Sequence, residues 1–398
     1  MKTELSQSLG RLEPSATLAM SQKSNELRAQ GVDVVNLSVG EPDFPTPDNV
    51  KEAAHQAIKD NYTHYSPVPG YMALREAIQR KLKRENNLDY TTDEILCSNG
   101  AKQSVCNVIL ALVNPGDEVI IPAPYWVSYP QMVKLAGGTP VYVKAPIEQN
   151  FKITPEQLEA AITPRTKALI LCSPCNPTGA VYSQEELAEL AKVVVRHDNI
   201  FVISDEIYEH INYIGRSASI AREPQMKERT IIINGVSKAY AMTGWRIGFI
   251  AAPQWIVKGC NKLQGQYTSG PCSVSQIAAA AAFDGPQDSV EDMRQRFEKR
   301  RDLIVRLSRE VPLWEVNEPE GAFYLFPKVS AYFGKSYKQY HIKDSLDLAM
   351  YLLLEGHVAT VGGKAFGDDE CLRMSYATSE DNIREAISRI KTALAKLQ

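Results

Sequence analysis

A chain of 398 residues is too long for one ordinary domain and suits two lobes, or a large domain with a smaller partner. Its 44% hydrophobic and 23% charged residues are ordinary for a soluble globular protein. A formal charge of −3 gives no electrostatic case for nucleic acid or a membrane surface as partner.

The N-terminal MKTELSQSLGRLEPS lacks the apolar core of a signal peptide, and no apolar stretch approaches the ~20 residues that span a bilayer. Seven cysteines without framework spacing suit a reducing compartment, so a cytoplasmic enzyme is expected. Cys172 and Cys175 do form a C-x-x-C, but Asn-Pro-Thr-Gly follows where a redox pair needs a helix N-terminus.

In chain order, residues 34–39 read as a strand leading into Gly40-Glu41-Pro42, and helices are predicted over 50–59, 72–84 and 103–112. Short apolar runs then predict strands at 118–121, 167–172, 201–204, 230–234 and 246–251. Amphipathic stretches lie between them, such as 185–196 with Leu187, Leu190, Ala191 and Val194 on one face. Strands with helical crossovers predict an α/β fold with a mostly parallel sheet covered on both faces. After Gly285-Pro286 the pattern changes to a long charged helix over 289–310, a GAFYLF segment, and helices over 345–355 and 381–397. The expected division is an N-terminal arm with part of a small domain (1–45), a large domain (46–286) and the rest of the small domain (287–398).

Four of these strands run into unusual residues at their C-terminal ends. Strand 118–121 leads to Tyr125 and Trp126, strand 167–172 to Asn176, strand 201–204 to Asp205 and Tyr208, and strand 230–234 to Ser237 and Lys238. In an open parallel sheet those ends share one edge, where ligands bind. A lone Asp or Lys after a strand is usually a turn residue or a solvated charge; four such ends converging mark a site. No G-x-G-x-x-G follows a strand, and Gly362-Gly363-Lys364 lacks the upstream glycine of a phosphate loop, which argues against a nicotinamide dehydrogenase or a nucleotide hydrolase.

The run Gly235-Val-Ser-Lys238-Ala-Tyr-Ala-Met-Thr-Gly244-Trp-Arg246-Ile-Gly248 occurs with GEPDF, SNGAKQ, PYWVSYP, NPTG, SDEIY and RMSYA in a fixed order. Together they resemble the class I aminotransferases of the fold type I pyridoxal-phosphate enzymes, above all the bacterial aspartate aminotransferase subgroup, from about Arg11 to near the C-terminus. The resemblance implies a large domain with a mostly parallel seven-stranded sheet flanked by helices, and a smaller α+β domain formed from both chain ends. It also implies pyridoxal 5′-phosphate as cofactor, with no metal.

In that reading Lys238 forms the Schiff base and later moves a proton as general base and acid, which needs a neutral amine; burial and Arg246 would lower its pKa. Asp205 would keep the cofactor's ring nitrogen protonated, Tyr208 and Asn176 would bond its phenolic oxygen, and Trp126 would stack on its face. Tyr125 is expected to be structural. The phosphate would sit on Gly100, Ala101 and Lys102 at a helix start, with Ser237 and Arg246. Tyr65 of a neighbouring subunit would complete it, so a homodimer with composite active sites is implied. Many relatives carry a hydroxyl where this chain has Gly235, which leaves the phosphate one donor poorer.

Arg373 and the Gly40 N–H, with Trp126 and Asn176, would bind the substrate, the planar guanidinium taking the α-carboxylate. Lys102, Ser15 and Thr17 would face a distal carboxylate, because no partner arginine is evident around residues 266–271. The expected reaction is a ping-pong transfer of the amino group from aspartate to a 2-oxo acid, 2-oxoglutarate first among them. The alternatives are prephenate, aromatic amino acids or alanine as substrate, and, more distantly, a lyase or decarboxylase. A regulator built on this fold would be expected to carry a DNA-binding domain, for which the roughly forty residues before Gly40 leave no room.

Overall fold

The computed structural model describes residues 5–215 and 218–398. Its centre is a seven-stranded sheet built from runs of Ile, Val and Leu. The strands are β1 Ile95–Ser98, β2 Glu118–Ala123, β3 Thr139–Lys144, β4 Thr166–Cys172, β5 Phe201–Asp205, β6 Thr230–Gly235 and β7 Gly248–Ala251. Their order across the sheet is β1-β7-β6-β5-β4-β2-β3, and only β7 runs antiparallel to its neighbours.

The continuous apolar runs are explained by burial on both faces. In β6, Ile231 and Ile233 pack with Val105, Ile109 and Ile256 from helices Ala101–Leu112 and Gln254–Tyr267 on one face. Ile232 points the other way, into a cluster with Leu74, Ile78 and Ala278 from helices Met72–Asn86 and Ser273–Asp284. The pleat's two-residue period thus splits an Ile-Ile-Ile run between two cores.

A further apolar cluster joins both ends of the chain. Met20, Val34 and Leu37 pack there with Ile304, Leu352, Ile387 and Ile390, which come from helices Asp288–Arg309, Ser345–Gly356 and Glu380–Leu394. Strand Leu372–Ser375 pairs antiparallel with Val361–Gly362 and Tyr324–Leu325, and this short sheet carries Arg373 opposite Val361.

Two predicted strands are shorter than expected. The 34–39 run forms strand only at Val35–Asn36, paired parallel with Val358–Ala359. Asn36 Oδ1 accepts from Ser38 N at 2.9 Å and Ser38 Oγ at 2.7 Å, and this side-chain turn diverts the backbone toward Gly40. The 246–251 run begins at Gly248, because Arg246 adopts a left-handed conformation with φ +58°. Among the described residues no helix is long and apolar enough to cross a membrane.

Candidate active site

A cavity of about 390 Å³ opens where β4, β5 and β6 end. Trp126, Asn176, Asp205, Tyr208, Ser237 and Lys238 all line it, so the strand ends singled out in the sequence do converge. Gly40, Ala101, Lys102, Arg246, Arg373 and Thr17 also line it, from other elements.

Lys238 lies three residues beyond β6, and its Nζ donates to the Gly40 carbonyl at 2.6 Å. The amine is 5.7 Å from the ring centroids of both Tyr208 and Phe323. Burial pushes its pKa down to about 8, helped by the cationic Arg373 and Arg246 and opposed by Glu41 and Asp205. Arg373, and not only the Arg246 named from sequence, contributes to this shift.

Asp205 ends β5 and is buried. Its Oδ2 accepts from Tyr129 Oη at 2.6 Å and its Oδ1 from Ile207 N at 3.3 Å. Burial raises its pKa, while those two bonds and the nearby Lys238 pull it back. The Tyr208 and Tyr324 hydroxyls are 2.8 Å apart, and burial drives the Tyr208 phenol well above its ordinary range.

Arg373 is buried between the rings of Tyr324 and Phe366, each centroid 4.8 Å from its guanidinium carbon. Its Nη1 donates to Asn176 Oδ1 at 3.1 Å and its Nη2 to the Ser38 carbonyl at 2.6 Å, whereas Nε is buried without a partner. Because Arg373 lines the cavity, its guanidinium offers a buried cation to an incoming carboxylate.

The third part of the site is an anion cradle. Helix Ala101–Leu112 starts after Gly100, whose φ of +81° a side-chain-bearing residue adopts only with strain. The N–H groups of Ala101 and Lys102, the first two of the helix, have no acceptor inside it. Arg246 reaches this end, donating through Nη1 to the Thr243 carbonyl at 2.8 Å and through Nη2 to the Asn99 carbonyl at 3.2 Å. A Cβ on Gly100 would collide with that guanidinium, and one on Gly248 with the Ala101 amide. The expected missing donor at Gly235 also has a cause: a Cβ there would lie 2.6 Å from the Ile247 carbonyl oxygen and 2.7 Å from Gly248 Cα. The packing of β6 on β7 leaves no space for a hydroxyl.

Lys102 Nζ stands 5.1 Å from the Trp126 ring centroid, and partial burial and Arg246 lower its pKa. Thr17 lines the cavity, but Ser15 does not; it bonds Thr17 Oγ1 at 2.9 Å from behind. Tyr65 is 99% exposed and outside this chain's cavity. Tyr125 stacks on Tyr142 with centroids 5.1 Å apart, as befits a structural residue. Cys172 reaches the cavity wall and Cys175 is buried, at the end of β4 and not at a helix start. Sequence reading missed Tyr129, Tyr324 and Glu41, the last of which accepts from Thr243 Oγ1.

A neutralisable lysine, a buried carboxylate and two guanidiniums around one cavity define a site for amine–carbonyl chemistry on anionic molecules. The chain belongs to the aminotransferase class I and II family, whose model matches residues 32–390. A probable aspartate/prephenate aminotransferase from Rickettsia bellii is 50% identical over 396 residues, covering 99% of each chain. Among solved structures, the aspartate aminotransferase from Rhizobium meliloti superposes with a TM-score of 0.96 at 42% identity, covering 100% of both chains. The Thermus thermophilus aspartate aminotransferase with maleate gives 0.93 at 42%, covering 98% of this chain and 100% of that one.

Proposed function

We propose that the protein transfers the amino group of aspartate to a 2-oxo acid, 2-oxoglutarate being the expected acceptor, by a ping-pong mechanism with pyridoxal 5′-phosphate held at Lys238. The observation that carries this reading is a single cavity shared by a lysine with a pKa near 8, the buried Asp205, and the guanidiniums of Arg246 and Arg373.

The residues suit the cofactor part by part. Arg246, Ser237 and the first-turn amides at Gly100, Ala101 and Lys102 suit the phosphate, and Asp205 suits the protonated ring nitrogen. Tyr208 and Asn176 suit the phenolic oxygen, and Trp126 the ring face. When bound, the cofactor supplies an electron sink for bonds at the substrate's Cα. Lys238 Nζ takes the proton from Cα and returns it, and a pKa near 8 lets it act in both directions close to neutral pH. Arg373 and the Gly40 N–H, both on the cavity wall, hold the α-carboxylate.

Lys102, with Thr17 on the wall and Ser15 behind it, faces the distal carboxylate. The maleate of the Thermus thermophilus structure, a four-carbon dicarboxylate like aspartate, supports that assignment. The exposed Tyr65 and exposed Arg246 support a homodimer in which each subunit's Tyr65 completes the other's phosphate site. The apolar cluster shared by both chain ends supports a small domain made of residues 1–45 and 287–398. A second reading, use of prephenate as well, is favoured by the apolar Leu18 and Val39, which line the same cavity as Lys102 and suit a ring bearing a carboxylate.

The test is a half-reaction screen. Cofactor-loaded protein is mixed with aspartate, glutamate, alanine, aromatic amino acids and arogenate, and loss of the visible band of the lysine-bound cofactor is followed. Aspartate is expected to react fastest. If it reacts no faster than alanine, the role given to Lys102 is wrong, and turnover without a 2-oxo acid would mark a lyase.

A further inference from the structure

We propose that Tyr129 is a positioning residue for this reaction: its hydroxyl, by donating to Asp205 Oδ2, sets the orientation of that carboxylate and keeps it an anion. The inference rests on the reading that Asp205 pairs with the ring nitrogen of bound pyridoxal phosphate.

Tyr129 is buried in the first turn of helix Ser128–Ala136, and its Oη lies 2.6 Å from Asp205 Oδ2, in the range of a hydrogen bond to an ionised acceptor. The other carboxylate oxygen receives only the longer bond from Ile207 N at 3.3 Å. The phenol is therefore the closer of the two donors to Asp205. Its ring meets Trp126 edge-on, with centroids 5.2 Å apart and planes at 85°. One turn of chain thus sets both the aromatic wall of the cavity and the carboxylate at its base. A tyrosine this deeply buried needs a partner for its hydroxyl, and here the partner is the Asp205 carboxylate.

Five groups face the carboxylate: Tyr129, Cys172 at the end of β4, the buried Cys175 just beyond it, Lys238 beyond β6, and the Ile207 amide. Lys238 is assigned to the substrate side, so it is not a permanent counter-ion. Without the phenol, a desolvated carboxylate takes up a proton more readily. Protonated, it no longer serves as the anion a cationic ring nitrogen needs.

The test is a pH titration of the visible absorption band in cofactor-loaded Tyr129→Phe protein. A proton drawn from the ring nitrogen toward Asp205 makes the ring less electron-withdrawing, so the Lys238 nitrogen holds its own proton more tightly. The midpoint should rise by about one pH unit, roughly tenfold in proton affinity. kcat should fall about tenfold while KM for the amino donor stays within about threefold. Replacing Tyr129 with 3,5-difluorotyrosine, a stronger donor of the same shape, should move the midpoint the opposite way. A merely structural residue would alter thermal stability or KM and leave the midpoint in place.

An unshifted midpoint in Tyr129→Phe overturns the inference. If that variant fails to fold, the absence of a downward shift in the difluorotyrosine protein overturns it instead. Asp205→Ala separates the two levels of argument. Loss of kcat there with an unshifted Tyr129→Phe sinks this inference alone, whereas a normal spectrum and kcat in Asp205→Ala sink the underlying reading and this inference with it.

Discussion

At Lys238, burial and two neighbouring guanidiniums all disfavour the ammonium form, and the amine's pKa falls to about 8. Below that pH it is protonated and cannot attack a carbonyl; above it, it can. Hydride trapping of an aldehyde on the cofactor-free protein should therefore accelerate with pH and reach half its maximum near 8. A midpoint near that of an ordinary lysine, about 10.4, would show the amine to be solvated. The linkage has a definite sign as well: between about 8 and 10.4 the unfolded chain binds more protons than the folded one, so this residue's contribution to stability rises with pH across that window. Lys238→Ala should abolish turnover while the cofactor still binds through the phosphate cradle, and normal activity in that variant would overturn the mechanism. Arg373 makes a different demand, because its planar fork already engages Asn176 and the Ser38 carbonyl at the cavity wall. Arg373→Lys keeps the charge and loses the fork, so KM for the amino donor should rise about tenfold or more, with a smaller change in kcat.

Among the elements, β6 and β7 approach closely beside the cradle, and this decides which side chain position 235 can carry. Gly235→Ser would restore the hydroxyl that many relatives carry, yet its Cβ would press on the Ile247 carbonyl and Gly248 Cα. The expected outcome is a loss of about 1–3 kcal/mol in stability, read from chemical denaturation, with no gain in cofactor retention. Unchanged stability would mean that the two strands separate at little cost. The same packing explains what sequence reading could and could not see. The convergence of Asn176, Asp205, Tyr208 and Lys238 was legible, because runs such as Ile231-Ile232-Ile233 mark buried parallel strands and polar residues at their ends have one edge to occupy. Strands β1 and β3 were not, because they form the sheet's two edges, one of four residues and the other of mixed exposure. Nor was Tyr129, since an aromatic three residues from a tryptophan on a helix reads as core until its hydroxyl is seen to meet a carboxylate from β5. The collision that keeps Gly235 a glycine comes from a strand not yet begun in the chain at that point, and no local pattern announces it.

For the whole molecule, the question is why a tyrosine 99% exposed sits on a backbone that is held firmly on both sides. Ser273 Oγ donates to the His64 carbonyl at 2.8 Å, Ser66 Oγ donates to the Pro271 carbonyl at 3.2 Å, and Gln276 Nε2 donates to Ser66 Oγ at 2.9 Å. Ordering a loop in this way has an entropic cost that solvent exposure of Tyr65 does not offset. A second subunit does, if the ring is presented to the other chain's phosphate cradle, where Arg246 is itself exposed. In a two-fold dimer each active site would then draw Lys238 from one chain and Tyr65 from the other. Subunit mixing tests this. Lys238→Ala homodimers should be inactive, and Tyr65→Ala homodimers should retain cofactor poorly. Unfolded and refolded together in equal amounts, half the dimers are mixed. In each of these both lesions fall on one site and the other site is intact. Activity at limiting cofactor should then recover to about a quarter of the unmutated protein's. If Tyr65 serves its own chain instead, the mixed dimer has one site lacking Lys238 and one lacking Tyr65, and the mixture shows no activity beyond that of its Tyr65→Ala sites.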